Sequence, residues 1–123
     1  MTGFPLPPGS AIGILGGGQL GRMLSLSAAK LGFDVVILCP EADCPAARVS
    51  HRQVVGSYDD PMALAQFSEG LSAVTFEFEN VPATALERLA AHGVAIAPGA
   101  RALAVAQDRV DEKAFLNAHG VAT

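Results

Sequence analysis

A chain of 123 residues and 12.6 kDa suits one domain and excludes a multidomain enzyme within these residues. Half of the residues are apolar and 16% are charged, a balance that excludes a disordered chain and can fill a core. The net charge of −4 and pI near 5.2 argue against nucleic acid or an anionic membrane as a partner.

The first ten residues, MTGFPLPPGS, hold three prolines and no basic region, so 1–10 reads as a flexible arm and not as a signal peptide. No apolar run approaches the roughly 18–20 residues that span a bilayer. Both features predict a cytoplasmic protein. Ala11–Leu15 is an apolar run of strand length, bounded by Gly16, Gly17 and Gly18. A helix over Gln19–Leu31 follows, with Leu20, Met23, Leu24, Ala28 and Leu31 at helical spacing and Gly32 as its stop. Val35–Leu38 reads as a second buried strand ended by Cys39 and Pro40, and Gln53–Gly56 as a short third. Asp59, Asp60 and Pro61 give a cap and a first-turn proline for a helix with Leu64 and Phe67, stopped at Gly70.

Ser72–Phe78 is the fourth predicted strand. Asn80 and Pro82 repeat the cap-and-proline signal for a helix with Leu86 and Leu89, stopped at Gly93. Val94–Ala97 is the fifth strand, ended by Pro98. Helical patterns follow over Ala100–Ala106 and Asp108–His119, the second capped by Asp108 and stopped by Gly120. Val121–Thr123 reads as the opening of a sixth strand. Unbroken apolar strands alternating with amphipathic helices predict an α/β fold: a doubly wound parallel sheet, Rossmann-like, in the order 3-2-1-4-5.

Cys39 and Cys44 are the only cysteines, and their C-x4-C spacing fits neither a C-x-x-C redox pair nor half of a common zinc site. Two reduced thiols are the plain reading; a disulfide or a metal role is the alternative. His92 and His119 fall in last helical turns, where a cation suits the dipole, and His51 falls in a loop.

Two stretches carry chemistry. Gly16-Gly17-Gly18-Gln19-Leu20-Gly21 matches G-x-G-x-x-G between a predicted strand and helix. Gly16 and Gly18 allow positive φ and close approach, Gly21 allows tight helix–strand packing, and the free N–H groups of the helix start favour an anion such as phosphate. A nicotinamide dinucleotide would also need an acidic residue closing the second strand, which instead ends Leu38-Cys39-Pro40. In Thr75-Phe76-Glu77-Phe78-Glu79-Asn80, alternation puts Glu77 and Glu79 on one side of the strand. Two carboxylates at the carboxyl end of a central strand cost stability unless something pairs with them, and ligands of open α/β sheets bind there. The alternative for Glu79 is capping of the next helix or pairing with an arginine.

Gly16-Gly17-Gly18-Gln19-Leu20-Gly21-Arg22-Met23, followed by Thr75-Phe76-Glu77-Phe78-Glu79-Asn80-Val81-Pro82, resembles the 5-(carboxyamino)imidazole ribonucleotide synthase family. These are ATP-grasp ligases of purine biosynthesis, the ATPase subunits of phosphoribosylaminoimidazole carboxylase. Gln107-Asp108-Arg109, Lys113–Leu116 and Gly120–Thr123 resemble the join between that family's N-terminal domain and its ATP-grasp body. The family usually has Asp where this chain has Cys39. The resemblance implies a pre-ATP-grasp substrate domain over 11–107 and the start of the join over 108–123, so that 123 residues read as the first piece of a longer chain, inactive alone. It implies a ribonucleotide substrate held by Gly18, Gln19, Leu20, Glu77 and Glu79, and an ATP phosphate met by Arg109. ATP with Mg²⁺, bicarbonate as co-substrate and a homodimer complete what it implies. The alternatives are an NAD(P)-binding domain of an oxidoreductase and a regulatory module that keeps the fold without a ligand.

Overall fold

The computed structural model describes residues 5–78, 80–99, 102, 105 and 107–121. Among them the chain runs β1 (Ala11–Leu15), α1 (Gln19–Lys30), β2 (Asp34–Cys39), a 3-10 turn (Ala47–Val49) and β3 (Arg52–Val55). It continues through α2 (Pro61–Ser68), β4 (Leu71–Phe76), α3 (Ala83–Ala91), β5 (Ala95–Ile96) and α4 (Arg109–Ala118). The five strands form one sheet in the order β3-β2-β1-β4-β5, every pair parallel, as the sequence predicts. The order reverses between β1 and β4, where the chain leaves the first half of the sheet and starts the second. In open α/β folds that switch point opens a crevice at the carboxyl ends of the strands.

Alternation along the strands sorts the core into two layers. Leu15, Leu38, Val54 and Val74 join Leu64, Phe67, Leu86 and Leu89 of α2 and α3 in the larger cluster. Ile14, Val35, Ile37 and Cys39 make the smaller one with Cys44, Ala46 and Ala28. Gly13 faces the larger layer because a Cβ there would lie 2.5 Å from both Phe67 Cζ and Leu71 Cδ1.

Helix α1 departs from its predicted orientation. Its buried residues are Gly21 and Ser25, with Ala28 packed beside them, whereas Leu20, Met23, Leu24 and Leu31 are exposed. The helix lies too close to the sheet for leucine: a Cβ on Gly21 would sit 2.9 Å from the Gly16 carbonyl oxygen. Only small side chains fit beneath it, and Ser25 satisfies its hydroxyl on the Gly21 carbonyl at 2.8 Å.

Other boundaries also shift. β4 ends at Phe76, two residues early, so Glu77 and Phe78 follow the strand and alternation does not orient them. Pro82, not Asn80, is the N-cap of α3, without a side-chain cap bond. Asp60 and Asp108 cap α2 and α4 as expected, accepting from Met62 N and from Val110 N and Asp111 N. The predicted helix over Ala100–Ala106 and the strand over Val121–Thr123 fall largely outside the described residues.

Phe67 of α2 is fully buried, with its ring beside Gly13 of β1. Phe67→Ala is expected to lower the unfolding free energy by about 3–5 kcal/mol, read as a fall in the urea midpoint.

Candidate functional site

The site forms where β1 gives way to α1 at the switch point. Gly16, at φ +115°, turns the chain out of the strand while its N–H stays on the Leu38 carbonyl at 3.0 Å. Glu77 N–H holds the Leu15 carbonyl at 3.1 Å, which brings the end of β4 alongside the same turn. Gly18 is the N-cap of α1 at φ −78°, so the positive φ expected there is absent; its bare Cα serves close approach instead.

The group approached is the chain's own carboxylate. Glu77 Oε1 accepts from Gly18 N–H at 2.7 Å, and Oε2 accepts from Gly21 N–H at 2.5 Å. These are the N-cap and N3 donors that a capping box satisfies with side chains of the helix itself. Glycine at both positions leaves α1 without such side chains, and Glu77 supplies both acceptors from 59 and 56 residues away. The negative charge also meets the positive end of the helix dipole. A Cβ on Gly16 would overlap Glu77 Cγ, and one on Gly18 would lie 3.0 Å from Oε1. The sequence leaves these N–H groups free for phosphate; in the folded chain Glu77 occupies them.

Beside this clamp lies a cleft of about 520 Å³, lined by Gly17, Gly18, Glu77 and Phe78, by Cys39–Pro45 and by Tyr58. Gln53 of β3 holds the loop that follows β2: Nε2 donates to the Glu41 carbonyl at 2.8 Å, and Oε1 accepts from Asp43 N–H at 3.2 Å. The Tyr58 and Phe78 rings meet at 5.1 Å between centroids, tilted by 53°. Burial, followed by the neighbouring Cys39 thiol, pushes the Tyr58 hydroxyl well above its usual pKa. Burial, with the Glu41 carboxylate next, pushes the Cys39 thiol from 9.0 up to about 12. Cys39 Sγ donates to Glu41 Oε2 at 3.1 Å.

Gly18 and Glu77, both predicted site residues, are thus in direct contact. Gln19 and Leu20 open α1 next to them and are exposed, Leu20 by 53%. Glu79 lies outside the described residues. Arg109 is elsewhere, in the first turn of α4, exposed and paired with Glu112 at 3.3 Å. The sequence reading misses Cys39, Glu41, Cys44 and Tyr58 as cleft residues. Their signal is topological: all lie at or just beyond the carboxyl ends of β2 and β3, which converge with that of β1.

The charged side chains lining the cleft are acidic, Glu41, Asp43 and Glu77, so it suits hydroxyls or an amine and does not fit a triphosphate. Among the described residues no group of three or more His, Cys, Asp and Glu could hold a metal ion. No helix among them is long and apolar enough to cross a membrane.

Residues 10–107 match the family model of the ribonucleotide synthetase preATP-grasp domain. Over 118 residues the chain is 52% identical to the N5-carboxyaminoimidazole ribonucleotide synthase of Brucella melitensis, covering 96% of this chain and 32% of that protein. The crystal structure of N5-carboxyaminoimidazole ribonucleotide synthetase from Thermus thermophilus superposes with a TM-score of 0.85 at 50% identity, over 89% of this chain and 30% of that one. The Aspergillus clavatus N5-carboxyaminoimidazole synthase, solved with ADP and 5-aminoimidazole ribonucleotide, gives 0.81 at 36% identity, over 91% and 30%. The chain spans about a third of the length of the curated relatives it matches.

Glu77→Gln loses the charge and turns an N–H donor toward the turn, and is expected to lower the unfolding free energy by about 1–3 kcal/mol in urea melts. For Cys39, a raised pKa means stability that is present below the unfolded value and lost as pH climbs through the folded one. The stability difference between the wild-type chain and Cys39→Ala is therefore expected to be constant up to roughly pH 8 and to shift against the wild type between about pH 9 and pH 12, measured by urea melts across that range.

Proposed function

The chain belongs to the ribonucleotide synthetase preATP-grasp domain family, and on that premise we propose that it is the substrate-holding domain of an ATP-dependent carbon–nitrogen ligase of purine biosynthesis. The whole protein would join bicarbonate to the exocyclic amine of 5-aminoimidazole ribonucleotide, with ATP activating bicarbonate as carboxyphosphate and leaving as ADP and phosphate. Mg²⁺ and a homodimer belong to the same reading and rest on the resemblance, and a cytoplasmic location rests on the character of the N-terminal segment and the short apolar runs.

The observation that carries the proposal is the Glu77 clamp. Each carboxylate oxygen has two acceptor positions and spends one on α1, so each keeps one for a ligand in the cleft that Glu77 lines. The carboxylate is already desolvated in part and fixed by two backbone donors, so a ribose hydroxyl or an amine binds a group that needs no reordering. Gly18 and the first residues of α1, Gln19 and Leu20, border the same point. The acidic lining supports a pose in which the sugar and base enter and the phosphate stays outside. Arg109, exposed on α4, is the residue assigned to an ATP phosphate, and Glu79 remains the second carboxylate assigned to substrate.

A nicotinamide dinucleotide is disfavoured by the same geometry, because the helix end that would receive its pyrophosphate holds Glu77. Titration with 5-aminoimidazole ribonucleotide, followed by amide NMR, is expected to give saturable weak binding with shifts at Gly17 and Gly18. Glu77→Gln, verified as folded by circular dichroism, is expected to weaken that binding at least about tenfold. NADH is expected to leave the spectrum unchanged, and the chain alone to hydrolyse no ATP. Saturable NADH binding, or ribonucleotide affinity indifferent to Glu77, would overturn the reading.

A further inference from the structure

We propose that Cys39 and Cys44 form an oxidative modification site, in which an oxidant of the peroxide class joins the two thiols as an intramolecular disulfide beneath the glycine turn. The placement is tertiary. Cys39 closes β2, Cys44 lies in the loop that leaves it, and both sulfurs pack against the bare Cα of Gly17. A Cβ on Gly17 would lie 2.6 Å from Cys39 Sγ and closer still to Cys44 Sγ, so the sulfurs are no more than about 5 Å apart. A disulfide needs the sulfurs at about 2 Å, so closing the bond takes a rotation about χ1 of one or both cysteines. Both thiols are free and both line the cleft, which admits a small oxidant.

The surroundings divide the two roles. Gln53 Nε2 points at Cys44 Sγ at 3.6 Å, so negative charge on that sulfur meets an N–H. Cys39 is held protonated by burial and by Glu41, which makes it the second sulfur to react. In the first step the Cys44 thiolate attacks one oxygen of hydrogen peroxide, the O–O bond breaks, and a sulfenic acid and hydroxide result; the hydroxide leaves as water with the proton of the original thiol. In the second, Cys39 sulfur attacks Cys44 sulfur, the S–S bond forms and the S–O bond breaks. Glu41 Oε2, 3.1 Å from Cys39 Sγ, takes the thiol proton and returns it to the departing hydroxide. Two thiols are oxidised, and one peroxide is reduced to two waters. The second step is intramolecular, and this proximity offsets the low acidity of Cys39.

The folded chain is treated with hydrogen peroxide at neutral pH, quenched into denaturant with iodoacetamide and weighed by mass spectrometry. The expected product is a monomer lighter by about 2 Da, without alkylation, with the peptides holding Cys39 and Cys44 cross-linked, and restored to two alkylatable thiols by dithiothreitol. Glu41→Gln is expected to slow ring closure at least about tenfold, so that dimedone traps a sulfenic acid on Cys44. In urea the cross-link is expected to form at least about tenfold more slowly than in the folded chain. Two thiols that stay free, sulfinic acid without a cross-link, a disulfide-linked dimer, or equal rates folded and unfolded would each overturn the proposal.

Discussion

Everything around the switch point depends on one carboxylate. Glu77 leaves the end of β4, crosses to the start of α1 and closes its two uncapped N–H groups. Three glycines follow from that single act. Gly16 clears space for the Glu77 side chain, Gly18 lets its oxygen reach the N-cap, and Gly21 both donates and lets the helix settle on the Gly16 carbonyl. The helix held this near the sheet has room beneath it only for glycine, serine and alanine, so the leucines of α1 turn outward. Glycine turn, helix depth and exposed apolar stripe are consequences of one contact.

The same contact sets the chemistry of the cleft. A Rossmann-type turn ordinarily offers its N–H groups to a ligand's phosphate; here the anion is built in. What faces the cleft is a carboxylate with unused lone pairs, beside Glu41 and Asp43. The turn presents acceptors where its motif promises donors, and the ligand it suits changes from a phosphate to hydroxyls and amines.

The sheet was legible in the sequence because parallel strands covered on both faces must be apolar throughout, and Ala11–Leu15 and Val35–Leu38 carry that mark. The orientation of α1 was not. Periodicity reveals that a helix has an apolar stripe, but the stripe that goes inside is chosen by the distance to the sheet, which Glu77 sets from 56 residues away. The Phe76–Glu79 pattern alternates like a strand, yet β4 stops at Phe76 and Glu77 turns to the helix. The identity of Glu77 as a special residue was legible from its cost; its partner was not, because a glycine turn shows that an anion is wanted without showing whose. Cys39 and Cys44 fit no spacing rule because their neighbourhood is made by Gly17, a residue remote from both in sequence.

The clamp also bears on how the domain assembles. Gly18 and Glu77 are 59 residues apart, so the start of α1 is completed only when the second half of the sheet has docked beside the first. Until then the β1–α1 unit has glycines at its N-cap and N3 and no acceptor for either N–H, which leaves its first turn weakly held. Closing the turn must wait for a long loop to close, the kind of non-local contact that slows folding. Once made, it joins the two halves at the carboxyl ends of their strands, beyond the β1–β4 ladder and the shared core, so that fraying at the end of β4 loosens the first turn of α1 as well. The residue that lines the cleft is therefore also where the two halves of the sheet become one cooperative unit.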